Sequence, residues 1–467
     1  MADNPASAGF LLYSLACLTV LRRNAVRPIA LKKWFVLVWL CAVSAAHALD
    51  VQRWRTADGA QVLLVERREL PMVDVAVLFQ GAGSAADPEG KDNTASAAAS
   101  MLLLGNREWD EEQISEKIND LGANMSGGAT TEYALFGFRS LSKPEVLTAA
   151  GEVFKRSLAA PRYDAKVLQR VKDRAALSLQ QSESYPGFLA DRALTRLNYP
   201  DHPYGKAARQ TVAKIQAVQT DDLHRFHRSH YARNNAVVAV VGDIGREDAA
   251  RLADGILAVL PARAAQDGSI APVRVKGGQF KHIPFPHNQQ ALIHIGLPVL
   301  KADDPDYFAM LVGNYILGGG GFDSRLMKVL RDRHGYTYGA GSTLSAKRQA
   351  GPFEIAFATE RKNGRAALAA AQQVLRDFVA NGPDVDELTQ AKAYITGSFP
   401  LRFDTNGKLI ANLIAAAYYN RPDDWFDTYN QKINALTAAD IKRAWQKHIR
   451  PEQMNVVVVG GEKAGEF

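Results

Sequence analysis

The sequence predicts an α+β chain built from two similar duplicated halves, each a mostly antiparallel sheet packed with helices, joined by a linker. Three observations predict it. Thr220 to Asp243, TDDLHRFHRSHYARNNAVVAVVGD, recurs as Ala438 to Gly461, AADIKRAWQKHIRPEQMNVVVVGG. Asp222, Arg225, His230, Val238, Val240, Val241 and Gly242 thus return as Asp440, Arg443, His448, Val456, Val458, Val459 and Gly460. Upstream, MVDVAVLFQGAG from Met72 has a counterpart in QQALIHIGLPV from Gln289, and Leu103-Leu104-Gly105 matches Ile316-Leu317-Gly318, all about 215 residues apart. Within each half, strand-like runs joined by short turns alternate irregularly with amphipathic helices, which does not suit the regular repeats of a doubly wound parallel sheet.

The elements follow in chain order. Residues 1–48 read as a leader: Lys32 and Lys33 precede the apolar run Trp34 to Val43, and Ala46-His47-Ala48 places small residues where a signal peptidase cuts. This predicts export, a mature start at Leu49, and the periplasm as address in a Gram-negative cell. The apolar run is shorter than the roughly 20 residues needed to cross a bilayer, so no stable membrane span is expected after leader removal. A second apolar patch, Phe10 to Leu21, lies ahead of the basic region and fits a translation start near Leu31. The two cysteines, Cys17 and Cys41, both fall in the leader, which leaves the mature chain without disulfide or thiol chemistry. Leu40 is too large for the small residue that precedes a lipidated cysteine. The first half spans 49–260, the polar, Ala- and Pro-containing stretch 261–272 is the linker, and the second half spans 273–467.

A length of 467 residues with 47% hydrophobic and 22% charged side chains suits two or more ordinary globular domains. The leader holds four of the seven net positive charges, and no basic stripe is interleaved with aromatics, which argues against nucleic acid as a partner.

Leu317 to Ser342, LGGGGFDSRLMKVLRDRHGYTYGAGS, carries the candidate chemistry. Gly318, Gly319, Gly320 and Gly321 form a hinge, since a residue without Cβ bends freely. Leu326, Val329 and Leu330 have helical spacing, with Asp323 or Ser324 as cap. After Gly335, YTYGAGSTL suits a strand that carries Tyr338 back past the helix end. Arg331 and Tyr338 would then point toward a common place, although spacing alone favours a surface arginine and a half-buried tyrosine. Among other candidates, His224, His227 and His230 recur at helical spacing, but Leu223 and Phe226 between them describe a helix packed on a sheet. GGGG lacks the Lys-Ser or Lys-Thr of a phosphate loop.

The duplication, with its strand, its apolar helix ending in Leu-Leu-Gly and its closing helix-strand unit, resembles the pitrilysin or insulinase family of zinc metallopeptidases from about Val51 to Gly461. DHPYG at Asp201 to Gly205, where His202 has a structural place, GD at Gly242, and LGGGGFDSRL followed by LRDRHGYTY carry the resemblance. It implies that Arg331 and Tyr338 are the pair that reaches across to a zinc site. It also implies an inverted motif, His-x-x-Glu-His, on the helix before Leu-Leu-Gly, which binds zinc and activates water. Here those positions read Ser96, Ala97, Ala98, Ala99 and Ser100, and the third-ligand helix, Val167 to Ser182, offers only Asp173 as an acid. This chain alone is therefore not expected to be a zinc peptidase or to hold a cofactor.

Half a site implies a partner. The expected function is the non-zinc subunit of an exported heterodimeric peptidase. Its partner is a homologous subunit bearing His-x-x-Glu-His and the zinc, and its substrates are short unfolded peptides bound as an added strand. The alternative is a structural, scaffolding or peptide-binding homologue with no catalytic role.

Overall fold

A computed structural model describes residues 49–467 apart from Asp267, His287 and Ala464. The expected leader, residues 1–48 with both cysteines, lies outside the described residues.

The first half builds a sheet from β1 (Gln52–Arg55), β2 (Gln61–Glu66), β3 (Met72–Gln80), β4 (Asn124–Ala129), β5 (Tyr133–Leu141) and β6 (Ala236–Gly242), in the order β1-β2-β6-β3-β5-β4. Its helices include α1 (Thr94–Ser100), α2 (Ala165–Ser182), α3 (Pro186–Asn198) and α4 (Thr220–His230). The second half builds β7 (Phe280–Ile283), β8 (Gln290–Leu300), β9 (Ala340–Leu344), β10 (Gly351–Glu360) and β11 (Asn455–Val459), in the order β7-β11-β8-β10-β9. Among its helices are α5 (Tyr307–Asn314), α6 (Asn406–Tyr418) and α7 (Ala438–His448). The second order repeats β2-β6-β3-β5-β4 strand for strand. Even the parallel pair recurs, β2 with β6 and β7 with β11, while the other pairings are antiparallel.

The duplicated closing unit explains itself physically. β6 (AVVAVVG) and β11 (NVVVV) are buried along their whole length, as a continuous apolar run must be when both faces of its sheet are covered. Gly242 ends β6 at φ 143, where an added Cβ would lie 2.2 Å from the Met72 carbonyl oxygen, so only glycine lets the strands meet there.

The covers are exchanged between halves. On one face of the first sheet, Val62, Leu64, Val75, Val77 and Phe79 pack with helices of their own half. On the other face, Leu63, Val65, Ala76, Leu78, Val237 and Ala239 join a core that contains Leu409 and Leu413 of α6, from the second half. Reciprocally, Ala190, Ala193 and Leu194 of α3, from the first half, pack on Val457 and Val459 of the second sheet. Each half thus completes the other's core. No described helix is long and apolar enough to cross a membrane.

Candidate functional site

Helix α1 occupies the place of the expected metal motif. Asp87 sets its start by accepting the N–H groups of Asn93 (2.8 Å) and Ala95 (2.7 Å). Burial pushes the Asp87 carboxyl up to about 6 in spite of those bonds. Ala95, Ala97, Ala98 and Ala99 are buried, since small side chains let α1 lie close to α4 and β4. The buried Tyr163 hydroxyl donates to the Ala98 carbonyl (3.2 Å). Ser96 is half-buried, and the exposed Ser100 turns its hydroxyl to the Ala97 carbonyl (3.3 Å). Asp173 on α2 is exposed and accepts from Gln169 (2.8 Å) and Gln216 (3.1 Å). These residues do not fit a zinc ion: two hydroxyls, a buried methyl and a carboxylate held by two amides supply no tetrahedral nitrogen or sulfur set.

Arg331 and Tyr338 lie on the connection between α5 and β9. Two π-helical turns, Tyr315–Gly319 and Met327–Arg333, flank the glycine run, and such turns concentrate at functional sites. The glycines serve close approach more than free bending. A Cβ at Gly318 would sit 2.4 Å from the Ser342 nitrogen of β9, one at Gly319 2.9 Å from the Asn314 amide nitrogen, and one at Gly320 2.8 Å from the Tyr315 carbonyl oxygen. Only Gly321 is unobstructed, and it needs glycine for its φ of 64. Ser324 closes the turn by donating to the Gly321 carbonyl (2.7 Å).

The Arg331 guanidinium stands 4.7 Å from the Phe322 ring centre and 3.9 Å from Asp332, with 42% of the side chain exposed. It is oriented without being neutralised by a tight ion pair. Tyr338 is 92% exposed. The expected strand begins only at Ala340, because Thr337 competes for the backbone: its hydroxyl donates to the Gly339 carbonyl (2.8 Å) and accepts from the Gly339 N–H (3.1 Å). That local clasp holds Tyr338 out of the sheet.

The histidines divide as helix packing dictates. His227 meets the Leu158 carbonyl (2.8 Å), and burial lowers its pKa to about 4. Burial lowers that of His230 as well, and His224 packs on the Tyr163 ring. His202 accepts the Tyr204 N–H (3.1 Å) and reaches the Ala271 carbonyl (2.7 Å), tying DHPYG to the segment 261–272.

Sequence reasoning missed His294 on β8. It meets Glu354 of the neighbouring β10 (2.7 Å) and Asp191 of α3 (3.1 Å), joining the two halves. Burial opposes its charge, but the bonds to Asp191 and Glu354 prevail and raise its pKa to about 9. A raised pKa means that the folded state holds the proton more tightly. The contribution is therefore complete below the unfolded value near 6.5 and is lost as pH rises through about 9. We expect urea unfolding between pH 6 and 10 to show a decline on the order of 2 kcal/mol, discounted for the exposed Asp191, that His294→Gln abolishes. An unchanged slope in the variant would contradict it. Asp191–His294–Glu354 and Asp304–Asp306–His448 are the ligand clusters among the described residues, and neither includes a residue of α1.

Fold and site define a metallopeptidase-type chain without metal ligands on its own motif helix. Residues 217–395 match the profile of the Peptidase M16 inactive domain. A crystal structure of a peptidase M16 inactive domain from Pseudomonas fluorescens is similar at 33% identity and a TM-score of 0.84, covering 89% of this chain and 99% of that one. The chain belongs to the M16 peptidase family, as the sequence resemblance implied. A Helicobacter pylori protein designated non-peptidase homolog YmxG is 24% identical over 425 residues, 90% of this chain and 95% of that protein. The Escherichia coli periplasmic protease PqqL shares the fold, with a TM-score of 0.75 at 13% identity, over 89% of this chain and 46% of that one.

Proposed function

We propose that this chain is the non-zinc subunit of an exported heterodimeric M16 endopeptidase, completing the site of a homologous partner that carries His-x-x-Glu-His. The observation that carries this reading is Tyr338: a large aromatic residue, 92% exposed and clasped outside the sheet by Thr337, seven residues after an arginine without a tight ion pair. Tyr338 is the most exposed large hydrophobic side chain among the described residues. In the proposed complex the Tyr338 hydroxyl donates to the peptide carbonyl oxygen as it gains charge, and the Arg331 guanidinium holds a neighbouring carbonyl or the chain terminus. The partner's zinc supplies the activated water. Gly318 packs on β9, the edge strand of its sheet, to which an extended peptide can add. Export is supported by the basic and apolar leader and by the periplasmic designation of PqqL.

A second reading, a scaffolding or peptide-binding homologue with no catalytic role, is supported by the non-peptidase designation of the Helicobacter relative. Co-expression with a zinc-motif homologue separates the two. The first reading expects a complex of one copy each by light scattering, with cleavage of an unfolded peptide by the mixture and none by this chain alone. A partner whose activity is the same with and without this chain would sink it.

A further inference from the structure

A second site stands in the second half, on residues that neither Arg331 nor Tyr338 touches. Two residues after the end of helix α6 at Tyr418, Asn420 has a left-handed φ of 50. The Asn420 N–H donates to the Ala417 carbonyl (3.1 Å) and the Arg421 N–H to the Ala416 carbonyl (2.8 Å), a paired C-terminal closure that turns the chain sharply. Pro422 then forbids more helix. Arg421 is thereby delivered between two rings, its guanidinium carbon 4.3 Å from the centre of Tyr307 and 4.1 Å from that of Trp425. The Arg402 guanidinium stands 5.4 Å from the Tyr429 ring. Both arginines line one cavity of about 220 Å³ with Tyr307, Tyr419, Trp425 and Tyr429.

Among the described residues, no acidic side chain lines this cavity. Among the described residues, neither guanidinium pairs with a carboxylate, whereas Arg192, Arg325 and Arg361 all do. Burial lowers the pKa of Arg421, with Tyr307, Asp303 and Tyr419 opposing it only by charge. The Tyr429 hydroxyl is buried beside Arg402 and has no hydrogen-bond partner of ordinary geometry. A half-buried cation without a counter-charge is unfavourable, and stacking on aromatic faces fixes its plane while leaving its N–H edge free. Fixed donors, flat apolar walls and residue-sized room match one chemistry.

We propose that this cavity recognises a carboxylate borne on an aromatic or aliphatic group, either the C-terminal residue of a peptide or a small free acid, with Arg421 and Arg402 taking the carboxylate. Leu344, Ser345 and Ala346 form one wall, which places the cavity at the end of β9 away from Tyr338. The site does not depend on the catalytic reading.

Calorimetric titration of the purified chain tests it with four probes: N-acetylphenylalanine, its amide, and a hexapeptide ending in phenylalanine as free acid and as amide. The acids are expected to bind at least tenfold more tightly than the amides. Arg421→Gln and Arg402→Gln should each weaken the acids at least tenfold. Arg402 is exposed, so its variant stays informative if Arg421→Gln unfolds. A peptide acid that binds more tightly than the small acid identifies a chain terminus as the ligand, and the reverse identifies a free acid. Equal binding of acids and amides, no binding at millimolar probe, or unchanged acid binding by Arg402→Gln would each overturn the proposal.

Discussion

Tyr338→Phe is expected to lower kcat/KM of the reconstituted pair by about two to three orders of magnitude, the usual effect of removing one preorganised donor to a developing oxyanion. The thermal midpoint of this chain should not move. Both expectations come from the same geometry. At 92% exposure the ring buries almost no area, and its hydroxyl has no hydrogen-bond partner among the described residues, so the oxygen contributes little to folding. If the loss falls in kcat with KM nearly unchanged, the donor acts in the transition state; a change confined to KM would assign the ring to ground-state binding. Thr337→Val tests the clasp separately. It removes both bonds to Gly339 while keeping shape, and should reproduce part of the Tyr338→Phe loss by letting the loop spread over several positions. Full activity of Tyr338→Phe would transfer the chain to the scaffolding reading.

The exposed tyrosine shows where sequence reasoning stops. Apolar periodicity made the duplication legible because β6 and β11 must be apolar on both faces to lie inside a covered sheet. The missing metal ligands were legible because five consecutive positions of α1 are read directly. Tyr338 was expected on a strand because aromatic and Thr residues favour one, but Thr337 has a hydroxyl that competes with the ladder, and propensity does not weigh that competition. The glycine run was read as a hinge because glycine is permissive; that Ser342 of β9 lies against Gly318 is a tertiary fact. The exchange of α3 and α6 between halves was also invisible, since an amphipathic face does not name the sheet that covers it. The same holds for His294, whose partners arrive from another strand and from the other half's helix.

Glu132→Ala is expected to destabilise the chain by about 3 to 5 kcal/mol, the range for breaking a buried network and leaving its donors without a partner. Glu132 sits at the turn between β4 and β5 and is 3% exposed. Its carboxyl accepts from the Tyr204 hydroxyl, the Arg348 N–H (3.1 Å) and the Tyr419 hydroxyl (3.4 Å). The Tyr204 hydroxyl accepts in turn from the Gln349 N–H (3.0 Å). One acidic side chain thus ties the DHPYG loop to the turn between β9 and β10 and to the residue that follows α6. Burial and the nearby Glu132 raise the pKa of both tyrosines well beyond the range in which the protein is handled, so they remain donors throughout. Glu132→Gln keeps the volume and one acceptor oxygen, and should lose less than half as much in urea unfolding with an unchanged slope. Because the network fixes the start of β10 against the first half, and Phe353 near that start pairs with Leu344, its loss should also loosen β9 from its Leu344 end. Hydrogen exchange at Ala340–Leu344 should then rise in Glu132→Ala under conditions where the chain is still folded. A loss below about 1 kcal/mol would mean that the other links between the halves, the exchanged helices and the His294–Asp191 pair among them, hold them together without it.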